Sequence, residues 1–137
     1  MNSPKNIGAE LKVVKGIPPN DVAAGTVNGA AIDRDGFLSC VLEGQTGAAS
    51  GTPTSLTADF RLEDSADGST GWADLAGAVV PQLTAVDQDK HVDANLASAK
   101  RYIRTVATVA FVGGTSPKVG VAAAVALGPA LTAPTSY

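Results

Sequence analysis

The residues best suited to metal chemistry lie in the segment 89–93. Asp89, His91 and Asp93 occupy every second position there, so on a β-strand their side chains would share one face and offer oxygen and nitrogen ligands to a metal ion. A polar loop that enters an edge strand gives the same pattern, and a defined metal site needs more ligands and supporting hydrogen bonds. We therefore expect a solvated strand face around His91 and no bound metal.

Cys40 is the only cysteine and His91 the only histidine, so these two residues are the one candidate pair for a nucleophile and its base. Cys40 lies in the apolar segment 37–42, and no cation that could stabilise a thiolate is near it in the sequence. A single cysteine also excludes an intrachain disulfide. We expect a reduced, buried thiol, no catalytic residues, no cofactor and no enzymatic activity.

The acidic segment 64–71 contains Asp64, Asp67 and Gly68, which resembles part of a calcium-binding loop. It lacks the alternating oxygen ligands closed by a bidentate acid that such a loop requires. The run of Asp, Ser, Thr and Gly is better explained as the turn of a β-hairpin.

The hairpin pattern from Phe60 to Trp72 resembles one found in discoidin-like and carbohydrate-binding sandwiches. A sugar-binding platform usually needs several exposed aromatic side chains, and this chain has one Trp, two Tyr and three Phe in all. Because the chain has so few aromatic residues, a carbohydrate-binding β-sandwich module is the alternative function and not the leading one.

A basic cluster, Lys100, Arg101 and Arg104, opens the long apolar segment that follows it. These side chains could pair with carboxylates such as Glu63 or Asp74, or with an acidic partner. Three charges beside a strand are more often a solvated strand end.

Two long segments, 101–112 and 119–127, are apolar on both faces and are joined by a turn at 113–117. A strand with one wet face alternates apolar and polar residues, whereas a strand covered on both sides is almost continuously apolar. Alternate residues of the second segment are all small: Gly120, Ala122, Ala124 and Ala126. A domain of this size supplies one core, so we expect a second copy of the chain to cover the other face, most simply as a homodimer.

The rest of the chain predicts short strands and turns, with no long amphipathic helix. Residues 56–63 alternate cleanly between apolar and polar, and strands are also expected at 22–32, 37–43, 72–75, 79–86 and 91–96, with a flexible loop at 44–54. These segments predict an all-β, two-sheet sandwich of the jelly-roll type. The residues expected in its core are Phe60, Leu62, Trp72, Ile103, Val109 and Phe111.

Both ends of the chain are rich in proline and suggest extended arms, at residues 1–21 and 128–137, around a β-sandwich domain at 22–127. Their apolar residues have no amphipathic element in which to be buried, and these are Ile7, Leu11, Val13, Ile17, Leu131 and Tyr137. We expect the arms to contact neighbouring subunits.

The net charge of -3 provides no basic surface for the phosphates of nucleic acid. The chain has no apolar run of about 18 residues that could span a membrane and no signal-peptide pattern. Nucleic acid and membranes are therefore not expected partners.

Four segments, 28–34, 64–72, 100–104 and 111–117, resemble the capsid decoration, or cement, proteins encoded among the head genes of tailed bacteriophages. The resemblance extends over residues 22–128. It implies a jelly-roll-like protein that is made in the host cytoplasm and binds the outer surface of an icosahedral capsid. There it would bridge neighbouring major capsid protein subunits, without catalytic residues.

Overall fold

The computed structural model describes residues 6–130, which form two antiparallel β-sheets after a short 3-10 turn at Ile7–Ala9. The strands are β1 (Lys12–Val22), β2 (Gly25–Asn28), β3 (Ile32–Asp33), β4 (Ser39–Ser50), β5 (Ser55–Ser65), β6 (Ala73–Val79), β7 (Asp89–Asn95), β8 (Tyr102–Val112) and β9 (Lys118–Leu127). Sheet A has the order β1-β9-β4-β7, and sheet B has the order β2-β8-β5-β6 with β3 also on β8. The predicted all-β sandwich is confirmed. No helix within residues 6–130 has the length and apolar character needed to cross a membrane.

The strand pairing follows the jelly-roll pattern. β1 pairs with β9, β2 and β3 with β8, β4 with β7, and β5 with β6. The strands before the β5–β6 turn therefore pair in reverse order with the strands after it, as in one long hairpin. This hairpin is rolled up so that β9 also pairs with β4, and β8 with β5. This rolling brings the apolar sides of the two sheets face to face.

Strand β5 shows how the sequence pattern fixes the sheet faces. Its side chains alternate, and the inward ones, Leu56, Ala58, Phe60 and Leu62, are all buried in the core. The outward ones are polar and partly exposed. A one-residue slip of register would bury the charged set, so this alternation specifies the pairing.

Phe60 occupies the centre of the core and lies across Gly44 of the opposite sheet. Its ring is 0% exposed, and a Cβ atom at Gly44 would overlap it. Gly44 is therefore needed at this position because β4 passes directly under the aromatic ring.

Strands β8 and β9 are covered differently on their second faces. In β9 the large residues Val119, Val121, Val125 and Leu127 are buried, whereas the small residues point outward and stay partly exposed. In β8, Val106 is on the outer face yet is only 1% exposed, between Asn28 of β2 and Arg61 of β5. The second face of β8 is thus partly covered by this chain itself.

Three predicted elements differ from the structure. The expected loop at 44–54 is largely the second half of β4, because it pairs with β9 up to Ser50 and Gly44 leaves room for the Phe60 ring. The strand expected at 79–86 is replaced by an irregular segment after β6, where Leu83 forms a single bridge with Ala58. The strand expected at 22–32 is divided into β2 and β3.

The expected N-terminal arm contains a strand of the sandwich. β1 pairs with β9 from Lys12 to Val22, with register shifts on both sides of Ile17, and Ile17 is only 1% exposed. Residues 12–21 therefore belong to sheet A, because the buried Ile17 side chain contributes to the core. At the other end, Ala130 forms a bridge with Phe37, while Leu131 and Tyr137 lie outside the described residues.

Arg34 joins two loops at one end of the sandwich. Its Nε donates to the carbonyl oxygen of Lys100 (3.0 Å), its Nη1 to that of Phe37 (3.2 Å), and its Nη2 to that of Ala99. The loop before β4 and the loop before β8 are thereby held together. Nothing in the sequence pattern predicts this contact.

We predict that Phe60→Ala lowers the free energy of unfolding by about 3–5 kcal/mol, because it removes a fully buried ring and leaves a cavity over Gly44. Phe111→Ala is the matched control: Phe111 is only partly buried at the margin of the core and should cost less. Urea unfolding followed by circular dichroism measures both values. Equal losses for the two variants would contradict the central placement of Phe60.

Candidate functional site

The outer face of sheet A combines small and apolar residues in aligned rows. Val13, Ala126 and Val41 are register partners across β1, β9 and β4. Val13 is 68% exposed and Val41 is 37% exposed. In the next row, Ala124 lies between Lys15 and Glu43. Because β9 carries only glycine and alanine on this face from Gly120 to Ala126, this strip is low and another protein surface can approach it closely.

Charged groups lie on both edge strands of this face, and Glu43 lies on the inner strand β4. Lys15 is on β1 at one edge, and Asp89, His91 and Asp93 are exposed on β7 at the other. Glu43 pairs with His91 in register and accepts a hydrogen bond from Gln45 Nε2 at 2.9 Å. The face is thus basic at one edge and mainly acidic at the other.

The predicted alignment of Asp89, His91 and Asp93 on one strand face is confirmed. Same-face neighbours on a strand are about 6.6–7 Å apart along the backbone, which is far for ligation of one ion. Within residues 6–130 no group of three His, Cys, Asp or Glu residues is arranged to hold a metal ion.

Cys40 and His91 are on opposite faces of sheet A. Cys40 is a free, buried thiol in the core, whereas His91 is exposed on the outer face beside Glu43. Burial, followed by the nearby Asp93 carboxylate, raises the pKa of the Cys40 thiol to about 11. The pair cannot act as nucleophile and base, because the two side chains do not meet and the thiolate is disfavoured.

A depression of about 540 Å³ with a mixed polar and apolar lining is at one end of sheet A, with lining residues that include Asp21, Gln45 and Val121. A second depression of about 350 Å³ shares Gln45 and reaches Asp87 and Asp89. Between them, Thr46 Oγ1 donates to the carbonyl oxygen of Ala85 at 2.6 Å. Its hydroxyl is therefore engaged in holding a loop and is not directed at a ligand.

The outer face of sheet B is organised by paired charges. Arg104 donates to Glu63 Oε1 from Nε (2.9 Å) and Nη2 (2.7 Å). Arg61 Nε donates to Asp74 Oδ1 at 2.9 Å, and Arg61 Nη2 is 3.6 Å from Glu63 Oε2. Of the basic cluster, Arg104 pairs with Glu63, one of the options that the sequence left open beside a solvated strand end, whereas Asp74 pairs with Arg61.

Trp72 is not a core residue, contrary to the sequence prediction. It is only partly buried, and the Arg104 guanidinium carbon is 4.4 Å from the centre of its ring. Trp72 precedes β6 on the outer face of sheet B, where a cation–π contact replaces core packing.

The turn after β5 is held by Asp67. One carboxylate oxygen accepts from the backbone N–H groups of Ser69 and Thr70, both at 2.9 Å, and the other accepts from Thr70 Oγ1 at 2.8 Å. These hydrogen bonds hold the pKa of the Asp67 carboxyl well below its usual range. The turn satisfies its own carboxylate, as a hairpin turn would, and the hairpin prediction is confirmed.

Two further residues predicted for an interface, Ile7 and Leu11, are near the N-terminal end of the described residues. Ile7 is 64% exposed, and Leu11 is partly buried and approaches Gly128. Sequence reasoning missed Val41, although its position opposite Ala126 follows once the register of β4 and β9 is known.

No protein-family model and no curated protein sequence is similar enough to place the chain in a family. Among solved structures, the SPBc2 prophage-derived protein YomS has a TM-score of 0.47 and 10% identity, over 85% of this chain and 93% of that chain. A structure of infectious bursal disease virus, Gt strain, has a TM-score of 0.45 and 11% identity, over 87% of this chain and 32% of that chain. A chain of the Bacillus endospore appendages, which are disulfide-linked pili, has a TM-score of 0.38 and 11% identity, over 95% and 99%. With these TM-scores below 0.5, the function is argued from the residues of this chain alone.

We predict that native Cys40 reacts very slowly with a soluble thiol reagent at pH 8, because at that pH a thiol of pKa about 11 is almost entirely protonated and the side chain is buried. Labelling followed by mass spectrometry should rise to completion when urea unfolds the protein. Fast stoichiometric labelling of the folded protein would contradict the buried position of the thiol.

Proposed function

We propose that the protein is a structural component of a tailed-phage virion, specifically a capsid decoration, or cement, protein. In this role it binds the outer surface of the icosahedral shell and stabilises it by bridging neighbouring major capsid protein subunits. The specific role rests on the resemblance of segments 28–34, 64–72, 100–104 and 111–117 to the cement protein of a short-tailed Bordetella phage. The protein acts by binding alone, without catalysis or a cofactor.

The observation that carries this proposal is the flat outer face of sheet A. Val13 and Val41 are exposed on either side of the alanine row of β9. Exposed, contiguous apolar residues with polar groups around them are typical of protein–protein interfaces. A structural role that depends on contacts over a broad surface suits such a face better than it suits a small-molecule site.

The shape of this face favours pairing of two copies. A two-fold axis parallel to the strands, between β9 and β4, would place β9 of one copy over β4 of the other and β1 over β7. The small side chains of β9 would then face the larger ones of β4, which are Val41, Glu43 and Gln45. The same operation would place Lys15 close to the acidic residues of β7, so shape and charge would both match.

The size of the face indicates that this pairing is weak in free protein. Four strands about 4.8 Å apart and roughly 25 Å long cover on the order of 500 Å² in each copy. That value is near the lower limit for a stable interface. Copies held close together on a shell would pair more completely, because their effective concentration is raised.

The capsid contact is assigned to the segment before β1. Ile7 is exposed in its 3-10 turn, and Ala130 N–H donates to the carbonyl oxygen of Glu10 at 2.8 Å, which fixes the direction of the segment at its base. In this segment, Ile7 would insert its apolar side chain into the neighbouring capsid surface.

For the pairing surface we predict that Ala124→Tyr prevents self-association, because a bulky ring at the centre of the face keeps two copies apart. Ala110→Tyr is the matched control, since Ala110 is exposed on the outer face of sheet B. Sedimentation equilibrium over a range of concentrations measures the dissociation constant, which we expect to rise at least 10-fold for the first variant only. Association that both variants retain would place the pairing surface elsewhere.

For the capsid contact we predict that Ile7→Glu weakens binding to capsid shells at least 10-fold, because a carboxylate would have to be desolvated at the interface. Val112→Glu is the control, since Val112 is 62% exposed, close to the 64% of Ile7, but is on sheet B. The assay is co-sedimentation with shells that lack their decoration protein, together with the heat resistance of the shells. If the unaltered protein neither sediments with shells nor protects them, the proposed function fails.

A further inference from the structure

The Trp72 side chain is unusual in this molecule because it is the only tryptophan and is not used in the core. Its ring rests on the Arg104 guanidinium, 4.4 Å from ring centre to guanidinium carbon. Arg104 is itself fixed by two hydrogen bonds to Glu63. The indole is therefore held in one orientation on the surface by a contact that packing of the core does not require.

The Trp72 side chain is partly exposed, and its surroundings in the chain are open. Gly71 and Ala73, its neighbours in the chain, are both exposed, and a Cβ atom at Gly71 would meet nothing within 4 Å. The turn before them is rigid because Asp67 holds its backbone N–H groups. An oriented aromatic ring thus lies beside an open surface with a preformed border.

Polar groups suited to hydroxyl recognition are linked to the ring through Arg104 and Glu63 on the same sheet face. Asp74 is the register partner of Glu63, its side chain is 71% exposed, and Oδ1 is held by Arg61 Nε. The fixed carboxylate can accept hydrogen bonds from hydroxyl groups, and Arg61 can donate to them. Because the two arginines are paired with Glu63 and Asp74, the cluster formed by these four residues carries no net charge.

We propose that Trp72, Arg61 and Asp74 form a binding site for a neutral saccharide. The apolar C–H face of one sugar ring would stack on the exposed part of the indole, and its hydroxyl groups would bind the Asp74 carboxylate and the Arg61 guanidinium. A charged sugar is disfavoured because the site has no net charge with which to pair it. One aromatic ring supports one sugar unit, so a single site binds with a dissociation constant on the order of 1 mM.

This site is on the face of the sandwich opposite the one assigned to self-pairing. On a shell with many copies, it would point away from that interface, and many weak sites would together bind a glycan-covered surface strongly. The saccharide site itself does not depend on the proposed capsid role.

The test uses the fluorescence of Trp72, which is the only tryptophan signal in the protein. Methyl glycosides of glucose, galactose and mannose, and N-acetylglucosamine, are titrated to 100 mM against the full chain. We expect at least one of them to give a saturable change in emission. Asp74→Ala keeps the fluorophore and should weaken binding at least 5-fold, whereas Asp35→Ala, an exposed carboxylate elsewhere, should leave it unchanged.

A second measurement tests the effect of removing the indole ring on saccharide binding. In Trp72→Ala the saccharide-induced NMR shifts of the backbone amides in residues 69–75 should disappear, while the thermal midpoint and binding to capsid shells stay as in the unaltered protein. The proposal is overturned if no saccharide gives a saturable response. It is also overturned if Trp72→Ala binds saccharide normally.

Discussion

The contact between the Phe60 ring and the backbone at Gly44 sets the distance between the two sheets. The chain has only three phenylalanines, and most other core residues are Val, Leu, Ile or Ala. Such side chains are short, so the one large ring at the centre would push the sheets apart if the opposite strand carried a side chain. Gly44 removes that obstacle, and the small residues around it can then pack at close range.

The two outer faces differ in how far their own side chains cover them. Sheet B carries long side chains that contact one another across strands, from Trp72 through Arg104, Glu63 and Arg61 to Asp74. These side chains shield the apolar Val106 beneath them. Sheet A has no comparable cover, because alanine and glycine side chains are too short to form one. Because the outer face of sheet A is left uncovered, a partner surface would bury more apolar area there than on sheet B. Self-pairing is therefore assigned to sheet A and saccharide binding to sheet B.

The sequence predicted those elements whose pattern is local. β5 was predicted because its alternation is complete, and β9 because its large and small residues separate onto two faces. The second half of β4 was not, because Gly44 and its small neighbours have low strand propensity and become a strand only through contact with β9 and Phe60. Trp72 was assigned to the core because large aromatic residues are usually buried. Its true position depends on Arg104, which is distant in the sequence and whose stacking on the ring no local pattern indicates. The outward row of alanines was foreseen, whereas its extension to Val41 required the register between strands.

The position of β9 has a consequence for how the protein is made. β9 lies between β1 and β4, and both of these strands precede it in the chain. During translation the ribosome therefore releases both neighbours long before the strand that joins them, and β1 has no partner in sheet A until β9 emerges. Closing such distant contacts is slow, and unpaired strand edges invite association with other nascent chains. The prolines at 18 and 19 in β1 cannot donate backbone hydrogen bonds. They therefore make β1 a poorer pairing partner for strands of other nascent chains before β9 is available.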